Sequence, residues 1–281
     1  MISQAFRMYM CALANGLNVG IPGISTFATT TLVASREEGA LARRFFGLLV
    51  PVLLAADGTA SYLYRGTSRW DIVRDVVLPI AVGMFAGFLI LGKVDSTGVR
   101  RGIGMVVIMM CCAFYAMAKD NDSAGAAKTE DDLPTKTPTN AMIGSKNSQR
   151  SWMACMKAAT GTGLFRAALA FICGTLSVLS NGSSLIMIVY LLSLNLPART
   201  LNGTRANIFL IINCSKIPGS ILLGNLHLSI YDAYIIIPLC IAAMISAFAV
   251  ERYVMPIMSQ SKYEKVTWTL VSCTAAVMCF L

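Results

Sequence analysis

Residues 201–224 read LNGTRANIFLIINCSKIPGSILLG. From Ile208 to Leu223 the stretch is apolar apart from Asn213, Ser215, Lys216 and Ser220. The apolar segment around it, 203–226, is long enough to cross a bilayer. A lysine at the centre of such a segment costs about 2.5–3.5 kcal/mol on insertion scales. Lys216 therefore needs a cavity, a partner or a substrate, and three readings stand open. It is an anion-binding ammonium, half of a structural ion pair, or a side chain that snorkels to an interface.

The composition of the whole chain agrees with a membrane setting. Of 281 residues, 56% are hydrophobic and only 13% are charged. Soluble domains carry roughly 25% charged residues. So few charges cannot cover a soluble globule of this size, which excludes a soluble enzyme, a disordered chain and a nucleic-acid-binding module. The excess of 23 basic over 14 acidic residues then reads as basic loops on one membrane face. Nine cysteines lie mostly in apolar runs, with no CxxC and only His227 to accompany them. They read as small apolar side chains rather than as metal ligands or disulfides, and no cofactor is expected.

Outward from residue 201 the segments repeat. Apolar stretches run about 163–180, 182–195, 203–226, 231–255 and 264–281. In the first part of the chain they run about 5–20, 21–35, 41–64, 70–92 and 98–118. Each set has two short pieces followed by three long ones. An offset of 159 carries Asp57 onto Lys216 and Pro79 onto Pro238, and an offset of 161 carries Trp70-Asp71 onto Tyr231-Asp232. Each half has an odd number of crossings, so the second half lies inverted relative to the first. The expected fold is an all-α polytopic membrane protein of two inverted repeats. Each repeat has a short broken-helix pair followed by three long transmembrane helices.

Between the halves, residues 119–157 are polar and rich in small residues, with Pro134 and Pro138. They cannot bury a core and read as a flexible linker. The expected organisation is a first transmembrane repeat over 1–118, the linker over 119–157 and a second repeat over 158–281. Alternating crossings place fifteen basic residues on the linker's face and seven on the other. The linker is then cytoplasmic, in a multi-pass protein of the cell or inner membrane. The n-region has only Arg7 and no clean cleavage site follows a compact apolar core, so the N-terminal segment reads as retained.

Asp57 lies mid-segment at the position equivalent to Lys216. It reads as a proton carrier, as the partner of Lys216, or as a local helix cap beside Gly58. Two glycine- and asparagine-rich breaks, NGLNVGIPG at 15–23 and SNGSS at 180–184, join the short pieces of their halves. A broken helix at membrane depth offers free N–H groups to an anion, while ordinary small-residue packing is the alternative. Arg205 either guides or binds an anion or, the favoured reading, is an interfacial arginine holding a helix end. Asn207 and Asn213 share its segment and either line a site or link helices.

The pieces NGSS, IVYLL and LNGTRANIFLIINCSKIPG, together with GIPG, LLVPVLLAADGTASYLYRG and LPIAVGMFAG, resemble the sulfite exporter TauE/SafE family of integral membrane transporters. The matching residues are Pro51, Asp57, Trp70, Pro79, Gly83 and Gly87 in the first half. In the second they are Asn181, Gly182, Tyr190, Gly203, Thr204, Asn213, Lys216, Pro218 and Gly224. Family members often carry Gly-Gly or Gly-Gly-Pro after the second-half asparagine, where this chain has Gly182-Ser183-Ser184. The resemblance implies transport of small, sulfur-containing anions such as sulfite or organosulfonates.

The resulting expectation is alternating access around a substrate site of Lys216, Asn181, Gly182, Ser183, Gly20, Gly23, Asn213 and Thr204. Asp57 serves as the proton-coupling or ion-pair residue. The partners are a small anionic substrate and the lipid bilayer, with no nucleic acid, and a homo-oligomer is compatible with the reading. A non-transporting scaffold or a passive anion channel is the alternative. An intramembrane enzyme fits poorly, because only Asp57 supplies a well-placed carboxylate, HExxH is absent, and His227 falls at a loop.

Overall fold

The computed structural model describes residues 4–31, 40–90, 98, 101–109, 111–112, 163–179, 183–194, 196–222 and 230–280. Among them all regular structure is helical. The helices are α1 (Gln4–Leu17), α2 (Ile24–Thr29), α3 (Ala40–Leu63), α4 (Trp70–Ile90), α5 (Gly163–Leu179), α6 (Ser183–Ser193), α7 (Ala198–Leu222), α8 (Ile230–Ala249) and α9 (Gln260–Phe280). Residues 101–109 are helical as well. The linker expected over 119–157 lies outside the described residues.

Two stretches, Trp70–Ile90 and Asp232–Ile257, are long and apolar enough to cross a membrane. Gly47–Leu63, Gly163–Leu179 and Ser183–Ser193 are shorter apolar helices. The outer faces of the two long stretches suit lipid. Leu78, Val82, Phe85 and Leu89 on α4 are exposed, as are Tyr234, Ile237, Ile241 and Ile245 on α8. These fall at spacings of three and four, so each set forms one apolar stripe. Three long spans per half were expected. The helix α7 departs because Arg205, Asn207, Asn213 and Lys216 interrupt its apolar run.

Prolines stand inside four helices, Pro51 in α3, Pro79 in α4, Pro218 in α7 and Pro238 in α8. Membrane helices tolerate them because neighbouring helices satisfy the freed backbone groups. At its C-terminal end α8 loosens into a π turn, Val250–Val254, and a 3-10 turn, Met255–Ile257.

Helix contacts run mostly between the halves. α4 packs on α5, α1 on α8, and α3 on both α7 and α8. The α4–α5 crossing is close because Gly83 and Gly87 face the Phe171 and Thr175 carbonyls while Gly174 faces that of Ile80. Thr175 Oγ1 also donates to the Gly83 carbonyl at 3.0 Å. The α1–α8 crossing has the same character. Gly16 lies against the Ala243 carbonyl, and Ser246 Oγ donates to the Leu13 carbonyl at 3.1 Å. Small residues with side-chain-to-backbone bonds are the usual device where lipid supplies no hydrophobic drive between helices. α6 sits at the centre, with every residue from Leu185 to Leu192 buried.

The α3–α7 pair is joined by polar side chains. Ser61 Oγ donates to Asn207 Oδ1 at 3.0 Å, and Asn207 Nδ2 donates to Ser68 Oγ at 2.8 Å. Just past α3, Tyr64 OH donates to Glu251 Oε2 at 2.6 Å, and Arg199 Nη2 reaches Glu251 Oε1 at 3.2 Å. Tyr64 is 2% exposed. A Tyr64→Phe chain keeps the packing and the Arg199–Glu251 pair but loses a hydrogen bond to a carboxylate. Thermal melting in detergent should report a loss of about 1–2 kcal/mol, and an unchanged transition would deny the bond any weight.

Candidate functional site

Between the halves lies a cavity of about 50 Å³. Its walls are stripes of single helices. α3 gives Leu49, Leu53 and Asp57, spaced by four. α7 gives Arg205, Phe209, Asn213 and Lys216, at offsets of zero, four, eight and eleven from Arg205. Eleven residues are three helical turns, so Arg205 and Lys216 share a face with Cα atoms about 16 Å apart along the axis. α1 and the break after it give Asn15 and Asn18, α2 gives Ser25, Thr26 and Thr29, and the start of α6 gives Ser183 and Ser184.

The first break is held by its own side chains. Gly23 has φ 99°, a left-handed conformation that glycine adopts without strain. Its N–H donates to Asn18 Oδ1 at 2.8 Å. Asn15 Nδ2 bonds the Cys11 carbonyl at 2.8 Å, and its Oδ1 accepts from Ser25 Oγ. The short helices of the two halves touch where Thr26 Oγ1 and Ser184 Oγ lie 2.6 Å apart.

Three charged groups face one another across this space. Asp57 is 6% exposed and accepts a hydrogen bond from Asn213 Nδ2 at 2.7 Å. It interacts electrostatically with both Arg205 and Lys216. Among the described residues neither cation closes a direct ion pair with it. Lys216 is half-buried, with its accessible part facing the cavity. Arg205 is 1% exposed, and its Nη2 donates to the Asn18 carbonyl at 2.5 Å. Among the described residues the cavity thus holds two cations against one carboxylate, with hydroxyl and carboxamide groups around them.

One turn before Arg205, Asn202 is fully buried. Its Oδ1 accepts from Tyr263 OH at 2.8 Å, and its Nδ2 reaches the Gly20 carbonyl at 3.5 Å. This layer joins α7, α9 and the first break on the side of the cavity away from Lys216.

Of the expected site residues, the structure brings Lys216, Asn213, Ser183 and Asp57 to the cavity. Asn181 and Gly182 lie outside the described residues. Gly20 and Gly23 are beside the cavity rather than in its wall. Gly20 packs against Val250 and Met255, and the Gly23 N–H is occupied by Asn18. Thr204 points elsewhere: its Oγ1 donates to the Thr200 carbonyl at 2.7 Å and accepts from the Arg69 N–H at 3.0 Å. Arg205 is no interfacial anchor, because the fold closes around it. Among the described residues no group of three His, Cys, Asp or Glu side chains could hold a metal.

A chain whose regular structure is all helical among the described residues, with lipid-suited outer faces and a charged cavity between its halves, has the build of a membrane transporter. Residues 10–278 match the family model described as sulfite exporter TauE/SafE, and the chain belongs to that family. It is accordingly a membrane protein of a transporter family rather than of an enzyme family. No curated relative and no solved structure matches the chain.

Proposed function

We propose that the chain carries a small anion, of the sulfite or organosulfonate kind, across the membrane by alternating access. The observation that carries this reading is the cavity itself, which both halves build and which, among the described residues, holds Arg205 and Lys216 against Asp57 alone. A buried site with one positive charge in excess favours an anion over a cation or a neutral solute. Lys216, Asn213 and Ser183 contact the substrate, with Asn181 and Gly182 completing the second break. Gly20, Gly23 and Thr204 belong to the frame around it. Asp57 answers the two cations when no substrate is bound, and coupling to protons runs through it.

The multi-pass, inverted-repeat architecture belongs to the same proposal. Repeats of 1–118 and 158–281 flank the linker, in a cell or inner membrane with the linker cytoplasmic. The exchange of partners between the halves supports it, because α4 on α5 and α8 on α1 are the same pairing read from opposite halves. The partners are the bilayer and the anion, without nucleic acid, and assembly into a homo-oligomer is compatible with this layout.

Purified protein in liposomes tests the function. A carrier of this kind gives saturable uptake and counterflow of at least one of sulfite, sulfate, thiosulfate, taurine and sulfoacetate. Linear, unsaturable flux would replace the carrier with a channel. No flux and no binding would leave a membrane scaffold.

A further inference from the structure

Arg205 stands out among the charged groups of the cavity. A guanidinium stays protonated in proteins and presents five N–H donors in a planar fork. At 1% exposure it has lost its water, and a buried charge is stable only with its donors answered. One is answered, by Nη2 to the Asn18 carbonyl at 2.5 Å. Nε is buried and has no acceptor among the described residues. The carboxylate that shares the cavity, Asp57, is held to Asn213 instead and forms no direct ion pair with Arg205 among the described residues. So the guanidinium lines a polar cavity with donors to spare, and its position is fixed by a backbone carbonyl.

Lys216, three turns along the same stripe, supplies charge of another kind. An ammonium is a point charge and attracts any anion, whereas a guanidinium fork matches two oxygens on one edge. The size of the cavity adds a second limit. Its 50 Å³ is the space of about four water molecules, at roughly 10–15 Å³ of accessible volume each. That suits an oxyanion of four or five heavy atoms better than one carrying an attached chain.

We propose that Arg205 is a specificity-determining residue, which selects compact oxyanions that present two oxygens to one guanidinium. Lys216 attracts anions without regard to shape. The inference rests on the reading of the cavity as an anion site, and it narrows the substrate class to compact oxyanions at the expense of substituted sulfonates.

The test is ligand-induced thermal stabilisation of the full chain in detergent. Nitrate and bromide are the first pair, equal in charge but with and without oxygens. Sulfite and sulfoacetate are the second pair, without and with a substituent. The wild-type chain should bind nitrate at least tenfold more tightly than bromide, and sulfite at least tenfold more tightly than sulfoacetate. Arg205→Lys keeps the charge and should bring the nitrate-to-bromide ratio to about one. Lys216→Ala should weaken both anions and leave their ratio standing.

A wild-type chain that binds nitrate and bromide alike overturns the fork, and this comparison decides even if Arg205→Lys fails to fold. An unchanged ratio in a folded Arg205→Lys chain overturns the role of Arg205. Equal binding of sulfite and sulfoacetate overturns the size limit. In each of these cases the anion site itself survives. A wild-type chain that binds no anion at all sinks the underlying functional reading instead.

Discussion

Lys216→Ala is expected to insert, fold and purify like the parent chain and to move no anion above the rate of protein-free liposomes. The two halves of that statement have separate causes. Folding survives because Lys216 makes no direct ion pair among the described residues, so its loss strands no close partner. Insertion gains, since a mid-helix lysine costs about 2.5–3.5 kcal/mol. Transport fails because the cavity goes from two cations against Asp57 to Arg205 against Asp57, and the excess charge that favours an anion is gone. At an effective dielectric constant near 20, a unit charge 4 Å from the substrate contributes about 4 kcal/mol, roughly a thousandfold in affinity. Counterflow measured beside gel filtration separates the two causes. A folded Lys216→Ala chain with full counterflow would remove Lys216 from the site, and an aggregated one would make it structural. Lys216→Arg should restore part of the flux, since it returns the charge with a different shape.

Part of the pattern of segments was legible because some of the boundaries are marked in the chain. Trp70-Asp71 opens α4 with an acidic first turn, Gly163 opens α5, and the break at 15–23 appears as Asn18 to Gly23 between α1 and α2. The 159-residue offset also put Asp57 and Lys216 on helices that do pack together, α3 and α7. What the sequence could not supply was the company each polar side chain keeps. Arg205 sits near the start of its helix and looks like an interfacial arginine. Its real partner, the Asn18 carbonyl, is 187 residues away and reaches it only when the halves close. Thr204 shows the reverse: a matched family position suggested substrate contact, while its hydroxyl bonds the Thr200 carbonyl one turn back. Such back-bonding is a local choice of the helix that residue type does not reveal. The hydroxyls of Ser25, Thr26 and Thr29 did leave a signal, a polar stripe at i, i+1 and i+4 in a short apolar piece. Its meaning depends on Ser184 meeting it from the other half.

That meeting depends on close helix crossings, and the crossing of α4 on α5 is where a single methyl group should do most damage to the fold. In Gly174→Ala the new Cβ overlaps the carbonyl oxygen of Ile80. The obstacle is backbone on a neighbouring helix, so no rotamer change relieves it, and α4 and α5 must separate. Separation undoes the matching contacts of Gly83 with Phe171 and Gly87 with Thr175, and it stretches the 3.0 Å bond from Thr175 Oγ1 to Gly83. In lipid these short contacts are themselves the attraction between helices, since the tails are as apolar as the side chains. Overpacking a well-filled core costs about 1–3 kcal/mol even where side chains can yield, so a backbone clash should reach the top of that range or pass it. Gly163→Ala is the control, because it lies on the same helix with open space around it. Both chains gain alanine's better helix propensity. Gly163→Ala should therefore melt at or slightly above the wild-type temperature, and Gly174→Ala should lose most of its monodisperse peak on gel filtration. Equal behaviour of the two would mean that α4 and α5 do not cross at Gly174. The partner exchange that supports the inverted repeat, and the cavity walled by both halves, would then lose their footing together.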